Sequence, residues 1–80
     1  MANNKLNVVI GKRQILREVK KGNVVEIKIA ADAEQDYIQS LIELAKQNGI
    51  KYMICGSMAE FSEHYGIDVP TGAIGLLKYV

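Results

Sequence analysis

Hydrophobic positions along this chain alternate between the two-residue period of strands and the three-to-four-residue period of helices. The strand-like runs are predicted at Asn7–Ile10, Val24–Ala30, Ile50–Cys55 and Gly72–Leu77. The helix-like stretches lie between them, at Lys12–Lys21, from Asp32 to Gly49, and from Ser57 to Gly66. Strands that alternate with helices predict an α/β fold, here a three-layer α/β/α sandwich with a central mixed sheet of about four strands.

The boundaries of these elements are marked by residues that favour helix ends and by the alternation within strands. Asp32 and Ser57 are followed three residues later by Gln and Glu, the spacing of a capping box, so a helix is predicted to begin at each. In the second predicted strand, Val25, Ile27 and Ile29 occupy alternate positions and are expected to face the core.

The first helix separates its apolar residues from its basic ones. Ile15, Leu16 and Val19 are predicted to lie on one arc, facing the core. The polar arc opposite carries Arg13, Gln14, Arg17, Lys20 and Lys21. Because Arg13 and Arg17 are one turn apart, their guanidinium groups could together reach a guanine edge and nearby phosphates. This arrangement suits nucleic-acid recognition, and a charged face that only meets solvent is the alternative.

Net charge is nearly balanced but unevenly distributed along the chain. Residues 1–28 hold seven Lys or Arg against two Asp or Glu, whereas residues 29–80 hold three against seven. A basic first third is expected to attract phosphates, while the acidic remainder limits indiscriminate adhesion.

The length of eighty residues predicts one domain, here residues 7–80 after a flexible N-terminus at residues 1–6. No apolar run is long enough to cross a bilayer and residues 1–6 lack the apolar region of a signal peptide, so a cytoplasmic protein without membrane contact is expected. The single cysteine, Cys55, excludes a disulfide within the chain and fits a reducing compartment.

Three sequence blocks, taken in order and with their spacing, resemble a known family over about residues 7–78. The blocks are Gly11-Lys12-Arg13-Gln14-x-x-Arg17 followed by Lys21-Gly22, then Ile29-Ala30-Ala31-Asp32-Ala33, then Gly66-Ile67-Asp68-Val69-Pro70. The chain is similar to the kink-turn RNA-binding ribosomal proteins of the L7Ae and L30e family, especially its small bacterial YbxF-like members. The family's fold is an α/β/α sandwich, as the hydrophobic pattern also predicts.

The resemblance implies recognition of a sharply bent RNA in which a bulge lies beside tandem sheared G·A pairs. The first block then implies contacts from Gly11, Lys12, Arg13, Gln14 and Arg17, with Gly11 permitting close approach of the backbone and Arg17 replacing a Lys that contacts a guanine. The third block implies a loop that packs against the bulge, formed by Ile67, Asp68, Val69 and Pro70.

This chain departs from the family's pattern at Arg13, where archaeal members have Asn, and at Gln35, where Pro is frequent. Asp32 is interpreted as a helix cap and not as an RNA ligand, because of its spacing to Gln35.

Two other classes of function remain as alternatives. An enzyme would have to use Cys55 and His64, but a lone cysteine in an apolar run is more often part of the packing, and no metal-ligand cluster, phosphate loop or paired acid is spaced for chemistry. We therefore expect no catalytic residue, metal or cofactor. The stronger competitor is a protein-interaction module that places the basic helix against an acidic partner. The favoured interpretation is a monomer that binds kink-turn RNA, in association with the ribosome or another ribonucleoprotein.

Overall fold

The computed structural model describes residues 7–66 and 71–78, and within them four strands alternate with three helices. The strands are β1 (Val8–Ile10), β2 (Val24–Ile29), β3 (Lys51–Ile54) and β4 (Ala73–Leu77). The helices are α1 (Lys12–Lys20), α2 (Gln35–Gln47) and α3 (Met58–Tyr65). Apart from the two ends of α2, every boundary lies within one residue of the predicted one.

The strands form one mixed sheet in the order β1-β4-β2-β3. β4 is antiparallel to both of its neighbours, β1 and β2, whereas β2 and β3 are parallel. One edge of the sheet, running across the strand ends, therefore contains the ends of β1, β2 and β3 together with the start of β4. We call this edge the β4-start edge, because the loops that follow β2 and β3 and the beginning of α1 all meet there.

The helices cover both faces of the sheet, which confirms the predicted three-layer architecture. On one face, α1 and α2 pack against Ile27 and Ile29 of β2. On the other face, Phe61 of α3 packs against Ala30 and Ile74. The adjacent residues Ala73 and Ile74 of β4 belong to different cores, because successive side chains of a strand point to opposite faces of the sheet.

Helix α1 is attached by fewer apolar side chains than the sequence predicts. Ile15 and Val19 are buried, and full burial of a side chain of this size contributes about 1.5–3 kcal/mol. Leu16 was predicted to join them, and this is wrong: it is 37% exposed. Leu16 lies on the side of the helix next to its buried face, among the basic side chains.

A bulge at Val25 changes which residues of β2 face inward. Val24 is paired with Leu77 and Glu26 with Leu76, so Val25 is an extra residue opposite a continuous partner strand. The predicted inward orientation of Val25 is wrong, since it is 48% exposed and Val24 is buried in its place. Ile27 and Ile29, beyond the bulge, face the core as predicted.

The two predicted capping boxes have opposite outcomes. At α3, the prediction is confirmed: the Glu60 backbone N–H donates to Ser57 Oγ at 3.1 Å, and the Ser57 backbone N–H donates to Glu60 Oε1 at 2.9 Å. At α2, the prediction is wrong, because the helix begins at Gln35 after the N-cap residue Glu34, with no side-chain cap.

Asp32 is a cap, as predicted, but of a different helix. Its Oδ1 accepts a 3.0 Å hydrogen bond from the backbone N–H of Met58, the first residue of α3. A helix N-terminus satisfies its unpaired amides with whatever acceptor the fold brings near, and the loop after β2 lies beside the start of α3 at the β4-start edge.

Candidate nucleic-acid interface

Helix α1 presents a basic surface that is free of internal ion pairs over most of its length. Arg13, Leu16, Arg17, Lys20 and Lys21 line a shallow groove of about 430 Å³. Lys21 is 3.7 Å from the Glu18 carboxylate, the one salt bridge found in residues 7–66 and 71–78. The other three cations therefore have no protein carboxylate against them within the described chain, and an external anion is their available partner.

The Glu18 carboxylate is bound by Lys21 and Asn23 and therefore does not neutralise the other cations of this surface. Besides the salt bridge to Lys21, its Oε1 accepts a 2.9 Å hydrogen bond from Asn23 Nδ2. Both partners lie at the C-terminal end of α1, so the acidic side chain is directed away from Arg13 and the helix start.

The N-cap residue of α1, Gly11, has no side chain that could cap the helix, and the first turn holds no acidic residue. Gly11 has φ 88° and ψ 156°, a backbone conformation essentially restricted to glycine. The first helical hydrogen bond runs from the Ile15 N–H to the Gly11 carbonyl, 3.0 Å. The amides of Arg13 and Gln14 consequently have no acceptor within the helix.

The two amides before them are held by the protein. The Gly11 N–H donates to the Ala73 carbonyl at 3.1 Å, which ties the start of α1 to the start of β4. The Lys12 N–H donates to the hydroxyl of Tyr37, a residue of α2. Burial raises the pKa of the Tyr37 phenol above its ordinary value of 10.0, and the bond from Lys12 acts in the opposite direction.

A pocket of about 330 Å³ opens beside this helix start, at the β4-start edge. It is lined by Asp32, Ala33, Glu34, Tyr37, Met58, Thr71 and Gly72. Its wall is mostly apolar, with two carboxylates at the rim. One face of the Tyr37 ring belongs to this pocket while the hydroxyl reaches α1, so the pocket and the basic helix share a side chain.

Backbone hydrogen bonds fasten the three chain segments that form the pocket. The Ala30 N–H donates to the Gly72 carbonyl at 2.8 Å, and the Ala31 N–H donates to the Gly56 carbonyl at 3.0 Å. Thr71 is buried, and its hydroxyl donates to the Ala73 carbonyl at 3.1 Å. With the Asp32 cap on α3, these bonds give the pocket a preformed wall.

The structure places the sequence-predicted residues as follows. Gly11, Lys12, Arg13, Gln14 and Arg17 lie together at the first two turns of α1. Ile67, Asp68, Val69 and Pro70 lie outside the described residues, while Thr71, which follows them directly, lines the pocket.

Tyr37 and Glu34 were missed as site residues. The spacing of Tyr37, Ile38, Leu41 and Ile42 predicts an apolar stripe on the second helix, and nothing in the sequence indicates that the Tyr37 hydroxyl reaches a different helix. The only feature of Glu34 that could have indicated a role is its position directly before α2, and that position depends on the helix starting at Gln35 and not after Asp32.

Within residues 7–66 and 71–78, no group of three His, Cys, Asp or Glu side chains is arranged to hold a metal ion. No helix of the described chain has the length and apolar character needed to cross a membrane.

Comparison with known proteins assigns the family. The model of the ribosomal protein L7Ae/L30e/S12e/Gadd45 family matches residues 1–79. This chain belongs to that family. The resemblance carried by the three sequence blocks is thereby confirmed.

Individual relatives agree with the assignment. "RNA-binding protein BH0128" of Halalkalibacterium halodurans is 31% identical over 72 residues, which cover 90% of this chain and 88% of the relative. "RNA-binding protein YbxF" of Geobacillus stearothermophilus is 27% identical over 71 residues, covering 89% and 87%. These relatives are named for RNA binding and not for an enzymatic activity.

A solved structure has the same fold. The "15.5kD RNA binding protein" of Giardia lamblia superimposes with a TM-score of 0.82 at 24% identity. The match covers 91% of this chain, which spans 62% of the Giardia protein. At this identity the likeness concerns the fold.

Proposed function

We propose that this protein is a non-catalytic RNA-binding protein that recognises and stabilises kink-turn RNA. The observation that carries the proposal is the basic N-terminus of α1, where the amides of Arg13 and Gln14 have no helical acceptor and lie beside a preformed pocket at the β4-start edge. Membership of the L7Ae/L30e/S12e/Gadd45 family and relatives named as RNA-binding proteins support the same function.

The start of α1 supplies the donors that a non-Watson–Crick pair requires. The unpaired amides of Arg13 and Gln14 offer two fixed N–H groups, strengthened by the positive end of the helix dipole. Arg17, one turn farther along, can donate to both O6 and N7 of a guanine. Gly11 lacks a side chain that would hold the RNA away from this backbone. These groups suit the exposed edges of sheared G·A pairs.

The pocket suits an unstacked base more than a phosphate. Its apolar wall and the Tyr37 ring can contact the face of a nucleobase, whereas the carboxylates of Asp32 and Glu34 repel an anion. Glu34 makes no capping bond and can accept from the N–H groups of a base. A basic helix beside an acidic-rimmed pocket therefore fits an RNA whose backbone faces α1 and whose bulged nucleotide turns toward the pocket.

Ile67, Asp68, Val69 and Pro70 complete the proposed interface as the loop that packs against the bulge. In this proposal Ile67 and Val69 provide apolar contact, and Pro70 limits the conformations of the loop before RNA arrives. The protein acts as a monomer in the cytoplasm, associated with the ribosome or another ribonucleoprotein.

The second candidate is a protein-interaction module, favoured by the exposed Leu16 among the basic side chains of the α1 groove. An apolar residue ringed by cations could contact an amphipathic acidic segment. The two candidates differ in their dependence on RNA shape, because an electrostatic surface alone binds a bent and a straight duplex alike.

The deciding experiment is a gel-shift titration with two RNAs of equal length and charge. One contains a kink-turn, and the other has its G·A pairs replaced by Watson–Crick pairs. We expect much tighter binding to the kink-turn at every salt concentration. Equal affinities would reject kink-turn recognition and favour the interaction module.

A further inference from the structure

The side chain of Tyr37 connects the start of α1 with the pocket and with Gly72, the residue before β4. Its hydroxyl accepts from the Lys12 backbone N–H, and its ring lines the pocket. The ring also lies against Gly72, where an added Cβ would come within 2.8 Å of Tyr37 Cε2. The start of α1 and the pocket wall therefore meet at one aromatic side chain.

The hydrogen bond to Lys12 has a particular effect on the first turn of α1. Of the four amides that a helix N-terminus leaves without internal partners, the Gly11 amide is bound by Ala73 and the Lys12 amide by Tyr37. The next two, of Arg13 and Gln14, are the donors assigned to RNA. Since consecutive amides of one turn share a rigid backbone, anchoring the first pair sets the direction of the second pair.

The surroundings of Tyr37 limit where its hydroxyl can go. The ring is packed against the core between α1 and α2, and Ser40 Oγ donates to the Tyr37 carbonyl at 2.8 Å, which adds a local contact at this first turn of α2. Gly72 leaves room for the ring that no other residue type would leave. The hydroxyl is thus presented to Lys12 by a supported side chain.

We propose that Tyr37 is a positioning residue that fixes the direction of the Arg13 and Gln14 amides relative to the pocket, and so determines discrimination between kink-turn and straight RNA. This inference rests on the proposed kink-turn function. Removing the hydroxyl leaves the helix and its charges in place but releases the anchor of the first turn. A straight duplex, held by charge alone, does not need that anchor.

The test compares Tyr37→Phe with Tyr52→Phe in the full 80-residue chain. Tyr52 is a partly buried tyrosine of β3 that packs against the same core, so its variant controls for loss of a phenol hydroxyl. Kink-turn and straight-duplex affinities are measured for each protein. We expect Tyr37→Phe to weaken kink-turn binding about threefold to tenfold, as for loss of one hydrogen bond, with duplex binding unchanged. Tyr52→Phe should leave both affinities unchanged.

Amide hydrogen exchange in the free protein supplies a readout that does not depend on RNA. The Lys12 amide has no helical acceptor, so its protection comes from Tyr37 and should be lost in Tyr37→Phe. Ile15, whose amide bonds to Gly11, should keep its protection. A merely structural role for Tyr37 would lower protection at both positions together.

Gly72→Ala is a second variant, which displaces the ring while keeping the hydroxyl. It should reduce kink-turn affinity and Lys12 protection in the same direction as Tyr37→Phe. If Tyr37→Phe unfolds the chain, this variant carries the test.

Unchanged kink-turn affinity, an equal loss on both RNAs, or unchanged Lys12 protection would overturn the role of Tyr37. Failure of the proposed function is a different result, since the unmodified protein itself would then bind both RNAs equally.

Discussion

The N-termini of α3 and α1 solve the same problem in opposite ways. At α3, Ser57, Glu60 and Asp32 all take part in capping, and the acceptors come from two separate segments of the chain. At α1, the N-cap residue Gly11 has no side chain, the Lys12 amide is bound by Tyr37, and the amides of Arg13 and Gln14 have no acceptor within the helix. A helix start that is completed internally contributes to stability, whereas one left open to solvent can bind an anion or a base edge.

The two helix starts lie at the same edge of the sheet but have different roles. The capped start of α3 holds the pocket wall, because Asp32 and Met58 both line that pocket. The open start of α1 is the proposed contact with RNA. Stability should therefore depend mainly on the cap of α3 and the proposed binding mainly on the start of α1, so substitutions at the two sites should affect the two properties to different extents.

The largest effect is expected from making the start of α1 resemble that of α3. Arg13→Glu places an acid in the first turn, which should stabilise the helix by about 0.3–1 kcal/mol through its dipole. The same change sets a carboxylate against RNA and should weaken kink-turn binding by roughly several kcal/mol. Thermal melting and gel-shift titration should therefore move in opposite directions. Lys46→Glu, an equal reversal at the far end of α2, is the control and should scarcely change kink-turn binding.

Arg17→Ala sharpens the comparison by separating base contact from charge within α1. We expect a loss of about 1–3 kcal/mol in kink-turn affinity together with reduced discrimination, because a bidentate contact to guanine is removed. Lys20→Ala, from the same basic groove, should weaken all RNAs to a similar extent and reduce the salt dependence of binding. The assignment of Arg17 is wrong if its removal lowers specific and non-specific binding by the same factor.

At the other helix, Ser57→Ala should reduce stability without touching the α1 surface. Loss of the cap is expected to cost about 1 kcal/mol in the free energy of unfolding, measured by urea denaturation. Kink-turn affinity should fall far less than for Arg17→Ala, because Asp32 still binds the Met58 amide and holds the pocket wall. Glu63→Gln, an exposed change on the same helix outside the cap, is the control and should change stability much less. A marked fall in affinity for Ser57→Ala with intact folding would show that the two helix starts are not separate in function.

The smallest expected effect is a pH dependence of stability caused by the phenol of Tyr37, which links the start of α1 with the pocket. Because burial raises the pKa of Tyr37 above 10.0 in the folded protein, the folded state holds this proton more tightly than the unfolded chain. Its contribution to stability is complete below about pH 10 and is lost as the pH rises further. The difference in unfolding free energy between the unmodified protein and Tyr37→Phe should thus be constant near neutrality and decline at alkaline pH. A difference independent of pH would mean that the phenol is not buried in solution.

Much of the fold follows from local sequence features. The alternation of periods predicted four strands and three helices in the observed order, because burying one face of each element demands that spacing. The Ser57 and Glu60 pair predicted its own capping box, since both partners lie within one turn. The charge separation along α1 likewise depends only on helix geometry.

Features that depend on distant partners were not predicted. Leu16 is apolar, as core residues are, but it lies outside the part of α1 that the sheet covers. The bulge at Val25 depends on the register between β2 and β4. Asp32 caps a helix whose first residue is 26 positions away. Each of these outcomes depends on which distant residues the fold places next to the residue in question, and local propensity carries no information about those residues.

The sequence by itself therefore determined the order of elements, the amphipathic character of α1 and the family, since these depend on spacing and residue type. Tertiary structure alone decided that the open start of α1, the pocket and Tyr37 share one edge of the sheet. The reason is topological: β4 runs antiparallel to β1 and β2, and only that arrangement brings the loops after β2 and β3 to the beginning of the first helix.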